Sequence, residues 1–125
     1  MLRTLGTEHL LLVERDAKVR RLLKVSLEQA GYDVTTARDA SGALTQLDEV
    51  SPALVLAATD LPKVDGYALV RQMREEPDWA DIPVIFMVPS SSIEDRIRGL
   101  ELGVDEFLTK PIFVKEVLRP LPLLP

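Results

Sequence analysis

A chain of 125 residues with 46% hydrophobic and 28% charged residues is sized for one domain around a real core. It has no cysteine and one histidine, His9, which excludes a disulfide framework, a thiolate zinc site, a cysteine nucleophile and a multi-histidine metal centre. The 20 Asp and Glu outnumber the 15 Lys and Arg, giving a net charge of −5; this offers no cationic surface for nucleic acid and leaves open a hard-cation site built of carboxylates.

No apolar run approaches the roughly 20 residues needed to cross a bilayer, and 1–8 lacks the apolar core of a signal peptide. A cytoplasmic protein without a membrane contact is therefore expected. The chain divides into an N-terminal extension (1–8), a domain (9–119) and a Pro-rich end (120–125) that is either a tail or the start of a linker.

Along the chain, short apolar runs alternate with helical periods. Leu10 to Val13 reads as a first strand. Asp16 is placed to cap a first helix carrying Val19, Leu22, Leu23, Leu27 and Ala30, with Gly31 just past its end. Asp33 to Thr36 is a β-branched second strand, and Ala40, Ala43, Leu44, Leu47 and Val50 stripe a second helix. Ala53 to Ala58 is a continuous apolar third strand; Asp65-Gly66 opens a third helix that ends near Pro77. Pro83 to Val88 is a fourth strand, followed by a helix capped by Ser92 and closed by Gly103. Val104 to Thr109 is a fifth strand, and Phe113 to Arg119 a fifth helix that Pro120 stops. Gly42 and Gly99 interrupt helical patterns and weaken them.

Strands that are apolar throughout are buried on both faces, as in a parallel sheet covered by helices. With right-handed crossovers, this predicts an α/β fold: a doubly wound, five-stranded parallel sheet in the order 2-1-3-4-5. Its site lies beyond the carboxyl ends of the strands, at the switch point between strands 1 and 3. The residues there are Glu14, Arg15 and Asp16; Ala58, Thr59 and Asp60; Val88, Pro89 and Ser90; and Lys110.

Four stretches carry a resemblance: Leu10-Leu-Leu-Val-Glu-Arg-Asp16, Asp60-Leu-Pro-Lys-Val-Asp-Gly66, Ile82-Pro-Val-Ile-Phe-Met87 and Gly103-Val-Asp-Glu-Phe-Leu-Thr-Lys-Pro111. With these the chain resembles the receiver domains of two-component response regulators, over about residues 8–119, and so implies a flavodoxin-like fold in a bacterial signalling or phosphorelay protein. In that family a histidine kinase phosphorylates an Asp at the end of strand 3. Mg²⁺, held by that Asp and an acidic pair after strand 1, neutralises the developing charge. A Lys after strand 5 and a Thr or Ser after strand 4 contact the phosphoryl group, and a Tyr or Phe on strand 5 changes rotamer with that hydroxyl.

Mapped onto this chain, the acceptor position, four residues before Pro62, is Ala58, which has no nucleophile. The acidic pair is Glu14 and Arg15, so the metal-contacting member is a cation. The hydroxyl position is Val88. Only Lys110, Pro111 and Phe107 match, and the resemblance implies a cis Lys110–Pro111 bond. The expectation is a pseudo-receiver: not an enzyme, with no cofactor and no bound Mg²⁺, its Lys110 held in an internal ion-pair cluster with Glu14 or Asp60 and its Arg15 in the vacated metal position. It would act on a protein partner, or a second copy of itself, through the face of the fourth helix, fifth strand and fifth helix. The alternative is an active phospho-receiver that uses a displaced carboxylate, Asp60 or Glu14, from a residual acid cluster of Glu14, Asp16 and Asp60, with Mg²⁺. A small-molecule binder of similar fold is disfavoured because no Gly-rich phosphate loop follows strand 1.

Overall fold

Five β-α units follow one another along the chain. The computed structural model describes residues 8–90 and 92–119. The strands are β1 (His9–Val13), β2 (Asp33–Ala37), β3 (Leu54–Ala58), β4 (Val84–Val88) and β5 (Glu106–Thr109); the helices are α1 (Ala17–Gln29), α2 (Ala40–Val50), α3 (Gly66–Glu75), α4 (Ile93–Glu101) and α5 (Val114–Leu118). All four strand pairings are parallel, and the sheet order is β2-β1-β3-β4-β5, as the alternation of apolar runs and helical stripes predicts. The extension 1–7 and the Pro-rich end 120–125 lie outside the described residues.

Burial explains why these runs are strands. Every residue of β3 and β4 is buried, as is Leu10 to Val13 of β1, because helices cover both faces of the sheet. The helices bury one stripe each: Leu23 and Leu27 of α1; Ala40, Ala43 and Leu47 of α2; Leu69, Val70 and Met73 of α3. Asp16, Asp39, Asp65 and Ser92 cap the first four helices, each accepting backbone N–H groups that the helix start leaves unpaired. Gly31, with φ 103°, turns the chain from α1 into β2.

β5 begins two residues later than the apolar run suggests. Asp105 instead closes a two-way bridge to β4: its N–H donates to the Val84 carbonyl at 2.9 Å, and its carboxylate accepts from the Val84 N–H at 2.9 Å. Arg74 fastens the same edge. Its guanidinium donates to the carbonyls of Ala80, Ile82 and Leu102 at 3.0, 2.7 and 2.8 Å, tying α3 to the approach to β4 and the end of α4.

Two glycines are placed by close approach. A Cβ on Gly66 would collide with the Ala58 carbonyl oxygen and lie 2.8 Å from Thr59 Cα, so the start of α3 can rest on the end of β3 only without a side chain. Gly99, which looks like a weakness in the sequence of α4, leaves room for the Phe107 ring. The Gly66 contact is backbone against backbone and cannot relax by a rotamer change. Gly66→Ala is therefore expected to destabilise the fold by about 1–3 kcal/mol, measured by urea unfolding.

Candidate functional site

The strand-end site is built around a buried carboxylate. Glu14 follows β1 and its side chain has no solvent exposure. Its N–H donates to the Ala37 carbonyl at 3.0 Å, which fixes the chain as it leaves the sheet. Its Oε2 accepts from the Asp16 N–H at 2.8 Å. Arg20, one turn into α1, donates to the carbonyls of Glu14 at 2.8 Å and Arg15 at 3.3 Å. The sequence reading did not single out Arg20; its position four residues after the cap Asp16 was the available signal.

Lys110 reaches this carboxylate from the far side of the sheet. Its Nζ lies 2.9 Å from Glu14 Oε1, so the ammonium faces this buried oxygen directly as an ion pair. The same Nζ donates to Asp60 Oδ1 at 3.1 Å. Its backbone N–H donates to the Val88 carbonyl at 2.9 Å, anchoring the residue beyond β5. The three side chains grade from Glu14 at 0% exposed through Lys110 at 22% to Asp60 at 39%. Burial works against the Lys110 charge, but the contacts with Glu14 and Asp60 outweigh it and hold its pKa above the ordinary lysine value of 10.5.

The other predicted positions fall as follows. Ala58 ends β3 with its methyl group fully buried, and Val88 ends β4 at 3% exposed. Arg15 is not drawn into the metal position: it is exposed and makes no ion pair among the described residues, because the chain leaving β1 turns its side chain outward as Glu14 turns inward. Asp16 likewise does not join Glu14 and Asp60. Its carboxylate accepts from the Lys18 and Val19 N–H groups at 2.9 and 3.2 Å, and these bonds lower its pKa. The residual acid cluster is thus two carboxylates bridged by a lysine. The Lys110–Pro111 bond is cis. Phe107 is half-buried, its ring centroid 6.1 Å from that of Phe86, with Arg96 Cζ 5.6 Å above it.

These residues do not fit a hard divalent cation. Mg²⁺ requires several oxygen ligands at about 2.0–2.1 Å. Among the described residues no group of three or more acids or histidines is gathered to supply them. An ion bonded to Glu14 Oε1 at that length would lie within about 5 Å of the Lys110 ammonium, and the two cations would repel.

Comparison with known proteins agrees with the fold. The family model described as "Response regulator receiver domain" matches residues 10–121. A "Probable transcriptional regulator ycf27" of Porphyridium aerugineum is 38% identical over 110 residues, covering 88% of this chain and 45% of that protein. The "DNA-binding dual master transcriptional regulator RpaA" of a Synechocystis strain is 36% identical over 109 residues, covering 87% of this chain and 45% of that one. The chain thus spans less than half the length of these curated relatives. The crystal structure of the chemotaxis protein CheY4 of Vibrio cholerae superposes with a TM-score of 0.90 at 23% identity, covering 95% of this chain and 99% of that one, a likeness of fold.

The Lys110 contacts carry a stability and a pH prediction. Lys110→Met leaves Glu14 buried without its cation and is expected to cost about 2 kcal/mol, below the roughly 3–5 kcal/mol of a fully buried pair because Lys110 keeps some solvent contact. Since the folded-state pKa lies above the unfolded one, this contribution is complete below the ordinary lysine value and disappears as the pH climbs through the raised value. Denaturant unfolding of wild type and K110M from neutral to strongly alkaline pH should give a difference that stays constant, then closes above that value.

Proposed function

The chain belongs to the response regulator receiver domain family, and from that membership we propose that it is a signalling module working through protein contacts without aspartyl phosphorylation. The observation that carries this reading is the identity of the strand-end residues. Where the family's chemistry needs a carboxylate nucleophile, a second acid and a hydroxyl, this chain has Ala58, Arg15 and Val88. Only the lysine remains, and it is engaged by Glu14 and Asp60.

The rival reading, an active receiver using a displaced carboxylate with Mg²⁺, has less support. Glu14 is fully buried and faces a cation, so it offers no open path for in-line attack on a phosphoryl donor. Asp60 is more exposed but bonded to the same ammonium. On this reading the domain carries no enzymatic activity and needs no Mg²⁺.

The surface offered to a partner is that of α4, β5 and α5. Ile93, Ile97 and Leu100 on α4 are 77%, 51% and 64% exposed, spaced as one stripe along the helix, and Phe113 before α5 is 61% exposed. Apolar side chains so grouped favour a protein partner, including a second copy of the chain. No described helix is long and apolar enough to cross a membrane.

Incubation with acetyl phosphate and Mg²⁺ tests the reading by mass spectrometry. No hydroxylamine-labile gain of one phosphoryl group is expected; a stoichiometric adduct would overturn it. In the reverse direction, Ala58→Asp, Arg15→Asp and Val88→Thr introduced together are expected to create a protein that takes up phosphate from the same donor.

A further inference from the structure

The outward face of α1 is basic, partly apolar and unpartnered. Lys18, Arg21, Leu22 and Val25 recur at i, i+3, i+4 and i+7 and so share one side of the helix, opposite the buried Leu23 and Leu27. All four are exposed, Leu22 at 63% and Val25 at 44%. The helix carries Lys18, Arg20, Arg21 and Lys24 against one acid, Glu28, in a chain whose net charge is −5. Lys24 pairs with Glu28 and Arg20 donates to backbone carbonyls, but Lys18 and Arg21 make no ion pair among the described residues.

The complementary surface lies on the other side of the sheet. There α2 packs with α3, whereas α1 packs with α5. A groove of about 540 Å³ beside α2 is lined by Leu44, Asp48, Glu49, Glu76, Asp78 and Trp79, with no Lys or Arg. A turn fixes the indole: the Trp79 N–H donates to the Glu76 carbonyl at 3.0 Å, and the Ile82 N–H to the Trp79 carbonyl at 3.1 Å. None of the four acids makes an ion pair among the described residues.

We propose that these two surfaces bind each other between copies of the chain, with Leu22 and Val25 of one copy on Leu44 and Trp79 of the next. Lys18 and Arg21 then stand among the acids, and a guanidinium against the indole adds a cation–π contact. Within one chain the sheet separates the two surfaces, so they meet only between copies. A two-fold contact would set cations on cations or acids on acids; the pairing is therefore heterologous and runs head to tail. It uses neither the strand-end site nor the α4 face, and so goes beyond the reading above.

Sedimentation velocity of the full chain from micromolar to millimolar concentration tests it, with emission from Trp79, the one tryptophan, as a second readout. In low salt, wild type is expected to gain average mass with concentration while its emission shifts to the blue. Half-molar NaCl should remove most of both changes. K18A/R21A/L22A and D48A/E49A/D78A, altered only at exposed positions, are each expected to keep the wild-type circular dichroism and stay monomeric. Mixed in equal amounts they should form a dimer and nothing larger, since one keeps its groove and the other its α1. The proposal is overturned if wild type stays monomeric at millimolar concentration in low salt, if either variant assembles as wild type does, or if the mixture gives no dimer. Assembly through α4 would survive both sets of substitutions and so counts against it. A monomeric wild type whose Trp79 emission responds to a basic amphipathic peptide would give the groove to another protein, and also overturns it.

Discussion

A carboxylate with no solvent exposure stands at the end of β1, and the arrangement of the strand ends follows from the need to compensate it. An ionised Glu14 alone in such a place would cost several kcal/mol. The Asp16 N–H and the Lys110 ammonium supply the compensation, one from the start of α1 and one from beyond β5. Lys110 can reach because its backbone is bonded to the end of β4, and it holds Asp60 beyond β3 with the same ammonium. The loops after β1, β3 and β5 are thus joined through one charged group. Whether such a cluster adds net stability over an apolar replacement is set by desolvation as much as by attraction; its clearer effect is to favour one arrangement.

On the proposed reading, that arrangement changes what the receiver scaffold can be used for. A phosphorylated receiver needs a strand-end site that binds and releases an ion and a phosphoryl group. Ala58 and Val88 present methyl groups there, and the lysine is committed to two acids. The aromatic at Phe107 sits over Gly99 and beside Phe86, where the matching strand-4 position has no hydroxyl to move with it. Ile93, Ile97 and Leu100 nevertheless remain on α4 as exposed apolar side chains.

Most of the fold is legible in the sequence, because continuous apolar strands, amphipathic stripes and Asp or Ser caps all agree on the same boundaries. The exception at β5 arises because Asp105 bonds Val84 through both backbone and side chain, which an apolar run cannot reveal. The identities of the strand-end residues are equally legible, since the first, third and fourth apolar runs end where their strands end, at Val13, Ala58 and Val88. Their directions are not. Asp16 turns to its own helix, Arg15 to solvent and Asp60 to Lys110, and each choice depends on backbone geometry that two or three residues of sequence do not specify. Arg20 and Arg74 escape the sequence reading for a related reason: each acts through carbonyl groups, which every residue type provides.

On the proposed reading, the strand-end site is closed to both an ion and a phosphoryl group. Beryllofluoride with Mg²⁺ imitates both together, and amide NMR of the wild-type chain reads the result residue by residue. No saturable shifts are expected at Glu14, Ala58, Asp60, Val88 or Lys110. Saturable shifts at these residues, spreading into α4 and β5, would contradict that reading.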